Sequence, residues 1–119
     1  MMVKLERISL RSEGLKKFFS PNEVRMLGLL WEKERLTSGQ IQKHCGDLSL
    51  ACIAGTLDRL VKSGFVNRTL DASESRVRYL YAPTCTEQEL GTKISEQVVD
   101  CLVDTFGTAV VSSIGRFRR

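Results

Sequence analysis

Apolar residues recur along this chain with two different periods, and the changes of period divide it. Between Ser20 and Lys62 the pattern is helical. Val24, Leu27, Leu30 and Trp31 share one face of a 3.6-residue repeat and predict a first helix reaching about Glu34. Its start is Ser20-Pro21-Asn22-Glu23, where Ser20 caps, Pro21 takes the first helical position and Glu23 completes a capping box. Thr37 and Gln40 repeat the capping-box spacing, and Ile41 opens a short second helix that ends near Cys45-Gly46. Ser49 caps a third helix, in which Ile53, Leu57, Leu60 and Val61 fall at i, i+4, i+7 and i+8. Gly64 stops it.

Beyond Gly64 the period shortens. Phe65–Thr69 and Val77–Tyr81 read as two short strands, joined by the polar loop Asp71-Ala72-Ser73-Glu74-Ser75. After Ala82-Pro83 helical spacing returns. Thr86 and Glu89 form a third capping box, and Leu90, Ile94, Val98, Cys101, Leu102 and Thr105 follow in register. Gly107 breaks that helix, and Ala109–Ile114 forms another short one. Ahead of Ser20, Val3, Leu5, Ile8 and Leu10 partly alternate with charges, as in a short strand or extended arm. Leu15, Phe18 and Phe19 then give an apolar anchor. Three helices followed by a hairpin make a winged helix-turn-helix. The expected fold is therefore mainly α with a small β-hairpin wing. Its parts are an N-terminal arm (1–19), a DNA-binding domain (20–83) and a helical dimerisation segment (84–119).

Composition narrows the function classes. A chain of 119 residues with 42% hydrophobic and 27% charged residues is an ordinary folded domain. No apolar run approaches the roughly 18 residues of a membrane span, and the first residues lack a signal-peptide core, so a cytoplasmic protein with no membrane partner is expected. Charge is uneven: residues 1–82 carry fourteen Lys/Arg against nine Asp/Glu, an excess that suits a polyanion. Cys45, Cys52, Cys85 and Cys101 form no close pair, so neither a metal nor a cofactor is expected. With one histidine, no glycine-rich phosphate loop and no paired carboxylates, there is little to catalyse with.

A helical wheel turns Leu50, Ile53, Leu57 and Leu60 of the third helix inward. Ala51, Cys52, Gly55, Arg59 and Lys62 lie on the opposite side, with Ser49 and Thr56 at its margins. A face this small lets the backbone lie close in the major groove. Ser49, Cys52 and Thr56 are the expected readers of double-stranded DNA, and Ala51 suits a thymine methyl. Arg59, Lys62 and the wing arginines Arg68, Arg76 and Arg78 suit phosphates. The apolar stripe Leu90, Ile94, Val98, Cys101, Leu102 and Phe106 is long for one small core and predicts a homodimer, with half-sites about one helical turn apart. The competing reading is a winged helix that docks on another protein instead of DNA.

The run from Ser20 to Tyr81 resembles the penicillinase-repressor type of winged-helix regulator, the group that includes BlaI, MecI and CopY. The matching pieces are Ser20-Pro21-Asn22-Glu23-Val24-Arg25-Met26 leading to Leu30-Trp31-Glu32, then Leu57-Asp58-Arg59-Leu60-Val61-Lys62-Ser63-Gly64-Phe65-Val66, then Arg78-Tyr79-Leu80-Tyr81. The resemblance implies a dimeric repressor whose C-terminal helices join two subunits. This chain departs from the group in placing Cys52 and Gly55 where members typically carry threonines, and it lacks the cysteine-rich tail of the copper-responsive members. MarR-like and ArsR-like regulators share the same architecture.

Overall fold

The computed structural model describes residues 5, 7–72 and 77–116. The chain divides into two units, with the boundary between Thr86 and Glu87.

The first unit is built on three helices, α1 (Pro21–Lys33), α2 (Ser38–His44) and α3 (Leu50–Lys62). Each starts as the sequence dictates. Ser20 Oγ accepts from the Glu23 N–H while the Glu23 carboxylate accepts from the Ser20 N–H, and Thr37 and Gln40 repeat this exchange at α2. At α3, Ser49 Oγ accepts from the Cys52 N–H. Met26, Leu27 and Leu30 of α1, Ile41 of α2, and Ile53, Leu57 and Leu60 of α3 make a closed core. Gly64, at φ +85°, turns the chain out of α3.

Strands β1 (Val66–Asp71) and β2 (Arg78–Pro83) pair antiparallel, with Arg68 opposite Tyr81 and Asp71 opposite Arg78. They lie one or two residues later than the sequence pattern places them. The sequence also gives no sign of a further bridge. Leu36, between α1 and α2, donates to the Tyr81 carbonyl at 3.0 Å and accepts from the Tyr81 N–H at 2.9 Å. This pair of bonds joins the wing to the start of the helix-turn-helix. Thr84 Oγ1 adds a bond to the Gly64 carbonyl at 2.9 Å, and Trp31 Nε1 donates to the Cys85 carbonyl at 3.0 Å. The tryptophan thus satisfies its one donor where its ring is half-buried.

The arm is not a strand where it is described. Gly14–Lys17 forms a 3-10 turn, and the Ser9 N–H bonds the Lys17 carbonyl at 2.7 Å, so the segment doubles back. Phe19 is buried edge-to-face against Phe65, with ring centroids 4.8 Å apart.

Arg25 of α1 reaches the α2–α3 loop and grips Asp47 with two parallel bonds of 2.9 Å. The bond from Arg25 holds the Asp47 carboxyl below its ordinary value, and the same bond raises the guanidinium further. A depressed carboxyl stabilises the fold above the unfolded-state value of about 4 and loses that contribution as pH falls through the folded-state value. Arg25→Ala is therefore expected to be less stable than the parent at neutral pH, the gap closing on acidification below about pH 4. Urea titrations across pH 2–7 check this, and a gap independent of pH would remove the pairing as its cause.

In the second unit, α4 (Glu87–Phe106) and α5 (Thr108–Gly115) pack on each other around Gly107, whose φ of +64° makes the corner. Val110 of α5 is buried. Among the described residues no helix is long and apolar enough to cross a membrane.

Candidate nucleic-acid interface

The outward surface of α3 follows from its inward one. With Ile53, Thr56, Leu57 and Leu60 buried, the positions turned away carry Ala51, Ala54, Arg59 and Lys62, with Ala51, Ala54 and Arg59 exposed and the Lys62 ammonium reaching into solvent. Gly55 and Asp58 are half-exposed beside them. This face is shallow over its first two turns and cationic over its last. Ala54 and Asp58 were not singled out by the sequence pattern, although both follow from it: Ala54 is three residues from Ala51, and Asp58 is four from Lys62.

Two expectations for α3 need correction. Thr56 is only 1% exposed; its hydroxyl donates to the Cys52 carbonyl at 2.9 Å and accepts from Arg59 Nη2 at 3.2 Å. A side chain so placed does not reach a base edge, and its role is to fix Arg59. Leu50, expected in the core, is 50% exposed, because it stands in the first turn, ahead of the contact with the other helices. Ser49 is exposed but its oxygen is engaged as the cap. Cys52 is half-buried and accepts from the Asn22 side-chain amide at 3.7 Å, a contact that ties the starts of α1 and α3 together.

The wing splits its arginines. Residues opposite one another in the register share a face, so Arg68 goes with Tyr79 and Tyr81, and Arg78 goes with Asp71 and Leu80 on the other side. Arg68 lies 4.7 Å above the Tyr79 ring and 3.9 Å from Asp58 of α3, which also pairs with Lys62 at 3.0 Å. Arg68, Asp58 and Lys62 thus form a chain of charge from wing to helix. Arg78 is half-buried, its Nε 3.7 Å from its cross-strand partner Asp71. Arg68 and Arg78, both expected at phosphates, therefore lie on opposite faces of the wing, as strand alternation and register require. Arg76 lies outside the described residues.

The expected apolar stripe also divides. Leu90, at 1% exposure, and Ile94 are buried within one chain, and Val98 is half-buried. Cys101, Leu102 and Phe106 are exposed, and Val103, Val111 and Ile114 add apolar surface that the sequence pattern did not single out. Among the described residues no cluster of histidine, cysteine or carboxylate groups is arranged to hold a metal.

Comparison with known proteins agrees with this architecture. A family model described as penicillinase repressor matches residues 19–116, well over half of the chain. A comparison with curated proteins gave no significant match. Among solved structures, a cysteine-to-serine mutant of MarR from E. coli superposes with a TM-score of 0.50 at 19% identity, over 80% of this chain and 65% of that one. A MarR-family transcriptional regulator from Silicibacter pomeroyi gives 0.50 and 19%, over 82% of this chain and 68% of that one. This chain thus spans slightly less than two thirds of the length of the E. coli protein, and at these identities the likeness is one of fold: a winged helix with attached helices.

Proposed function

Because the chain belongs to the penicillinase repressor family, whose members are DNA-binding transcriptional regulators, we propose that it represses transcription as a homodimer bound to two half-sites. The observation that carries the reading is the outward face of α3: small side chains ahead, Arg59 and Lys62 behind, no core residue exposed beyond Leu50 in the first turn. Alanines let a helix approach the groove floor, and cations at one end of the face suit the phosphates along its edge. Arg68 extends the cationic surface from the wing through its contact with Asp58. Few long polar side chains face outward, so selectivity is expected to come largely from duplex shape and half-site spacing. The test is selection of duplexes from a random pool, followed by binding at several salt concentrations. A steep salt dependence and a repeated half-site are expected; salt-independent binding, or capture of no duplex, overturns the reading.

Gly55 offers a finer check. A methyl group there would meet only Arg59 Nη1, at an ordinary 3.9 Å. Gly55→Ala is thus expected to stabilise the fold by about 0.5–1 kcal/mol, the usual difference between the two residues inside a helix. Gly55→Leu is expected to fold equally well but to weaken duplex binding roughly tenfold, since a long side chain holds the helix off the groove floor. Urea melts and gel-shift titrations separate the two effects. Unchanged duplex affinity in Gly55→Leu would place the groove contact elsewhere.

A further inference from the structure

The first unit contains an open cavity of about 770 Å³ where the arm meets the starts and ends of two helices. Arg7, Lys16 and Lys17 of the arm line it from one side, and Arg59 and Lys62 from the C-terminal end of α3. Phe18, Phe19 and Phe65 supply an aromatic part of the lining. Among the described lining residues the one carboxylate is Glu23, already engaged by the Ser20 N–H at 2.8 Å. No described carboxylate pairs with Arg7, Lys16, Lys17 or Arg59; Lys62 pairs with Asp58, and Arg59 donates to the Thr56 hydroxyl.

A cavity of this size suits a small organic molecule, and five convergent cations against one described lining carboxylate, itself engaged at the start of α1, select an anion. The aromatic lining adds a second requirement. A sugar-phosphate backbone has nothing apolar to set against phenylalanine rings, whereas an organic anion with a ring or short hydrocarbon body meets both surfaces. We propose that this cavity binds an amphipathic organic anion, a phosphate, sulfonate or carboxylate on an apolar body, and that its occupant opposes DNA binding by engaging Arg59 and Lys62. The second half of the proposal rests on α3 being the DNA-contacting helix; the first half does not. The arm, doubled back by the Ser9–Lys17 bond, is in this view the outer wall of an effector site.

The test titrates the full chain with 1-naphthyl phosphate, using inorganic phosphate and 1-naphthol as its two halves, by calorimetry and by amide NMR shifts. One molecule per chain is expected to bind at least about tenfold more tightly than either half, with shifts concentrated on residues 16–21 and 59–65. Lys16→Glu, on the exposed face of the arm, is expected to weaken binding roughly tenfold, and Lys93→Glu in the second unit to leave it unchanged. Shifts centred elsewhere, or equal affinity in Lys16→Glu shown by its melting curve to be folded, would overturn the site. With the probe saturating, duplex affinity is expected to fall roughly tenfold, because Arg59 and Lys62 are then withdrawn from phosphates. Unchanged duplex affinity with the probe bound overturns the coupling. A chain that takes the probe in this cavity but binds no duplex refutes the DNA reading of α3 and leaves the anion site established.

Discussion

Reversing the charge at the end of α3, with Arg59→Glu and Lys62→Glu together, is expected to lower duplex affinity by roughly a hundredfold or more and to reduce the slope of log affinity against log salt by about 2. Both side chains lie outside the core, so their replacement leaves Ile53, Leu57 and Leu60 untouched. Each phosphate neutralised by a side chain releases counterions, and a complex that neutralises two fewer phosphates has a correspondingly shallower slope. The further fall comes from repulsion between new carboxylates and the backbone. Lys62 gives up its bond to Asp58 in the process, but an exposed ion pair of this kind contributes little to stability. The effect should be nearly equal for all sequences, because phosphate contacts carry register rather than base identity. Gel shifts at three salt concentrations, on selected and unrelated duplexes, give the answer. A variant that loses only its preferred sequence would make Arg59 or Lys62 a base reader, and one that loses nothing would remove α3 from the interface.

The local signals for this fold were legible because they are local. Capping at Ser20, Thr37 and Ser49 is decided by residues three apart, and each cap forms as its spacing dictates. The stop at Gly64 has the same character. Contacts between distant segments left no such trace. Nothing in Leu36 or Tyr81 announces a reciprocal backbone pair, because backbone groups are the same in every residue. Thr56 shows how a wheel fails at its margin: the angle between a rim and a core position is small, and tertiary packing decided it. The wing is a different case. Alternation sorts faces within one strand, but whether Arg78 shares a face with Arg68 depends on the register between strands, which no single strand encodes. The arm was the least legible part, since its turn and its wall of cations matter only once Phe19 meets Phe65.

Placing lysines on the exposed end of the second unit, with Leu102→Lys and Phe106→Lys together, is expected to yield a monomer and to weaken binding to a two-half-site duplex by roughly two to three orders of magnitude. Leu90 and Ile94 are buried within the single chain, so they are poor candidates for a seam between copies. What stays open is the later half of α4 and the outer side of α5, where Leu102, Phe106 at 63% exposure, Val111 and Ile114 leave apolar surface in water. A second copy related by a two-fold axis would cover such a patch with itself, the commonest closed arrangement. Two charges there must lose their hydration for the interface to form, which costs several kcal/mol and exceeds what a modest apolar contact supplies. Binding to paired half-sites then forgoes the advantage of a tethered second unit, typically about 10²–10⁴. Affinity for an isolated half-site should hardly change, because the residues of α3 and the wing are intact, and this contrast separates a failure to pair from a failure to fold. Sedimentation measured beside the gel shifts provides the check. A variant that still sediments as a dimer would move the seam to another surface, and a monomer that keeps full affinity would mean that one winged unit is sufficient.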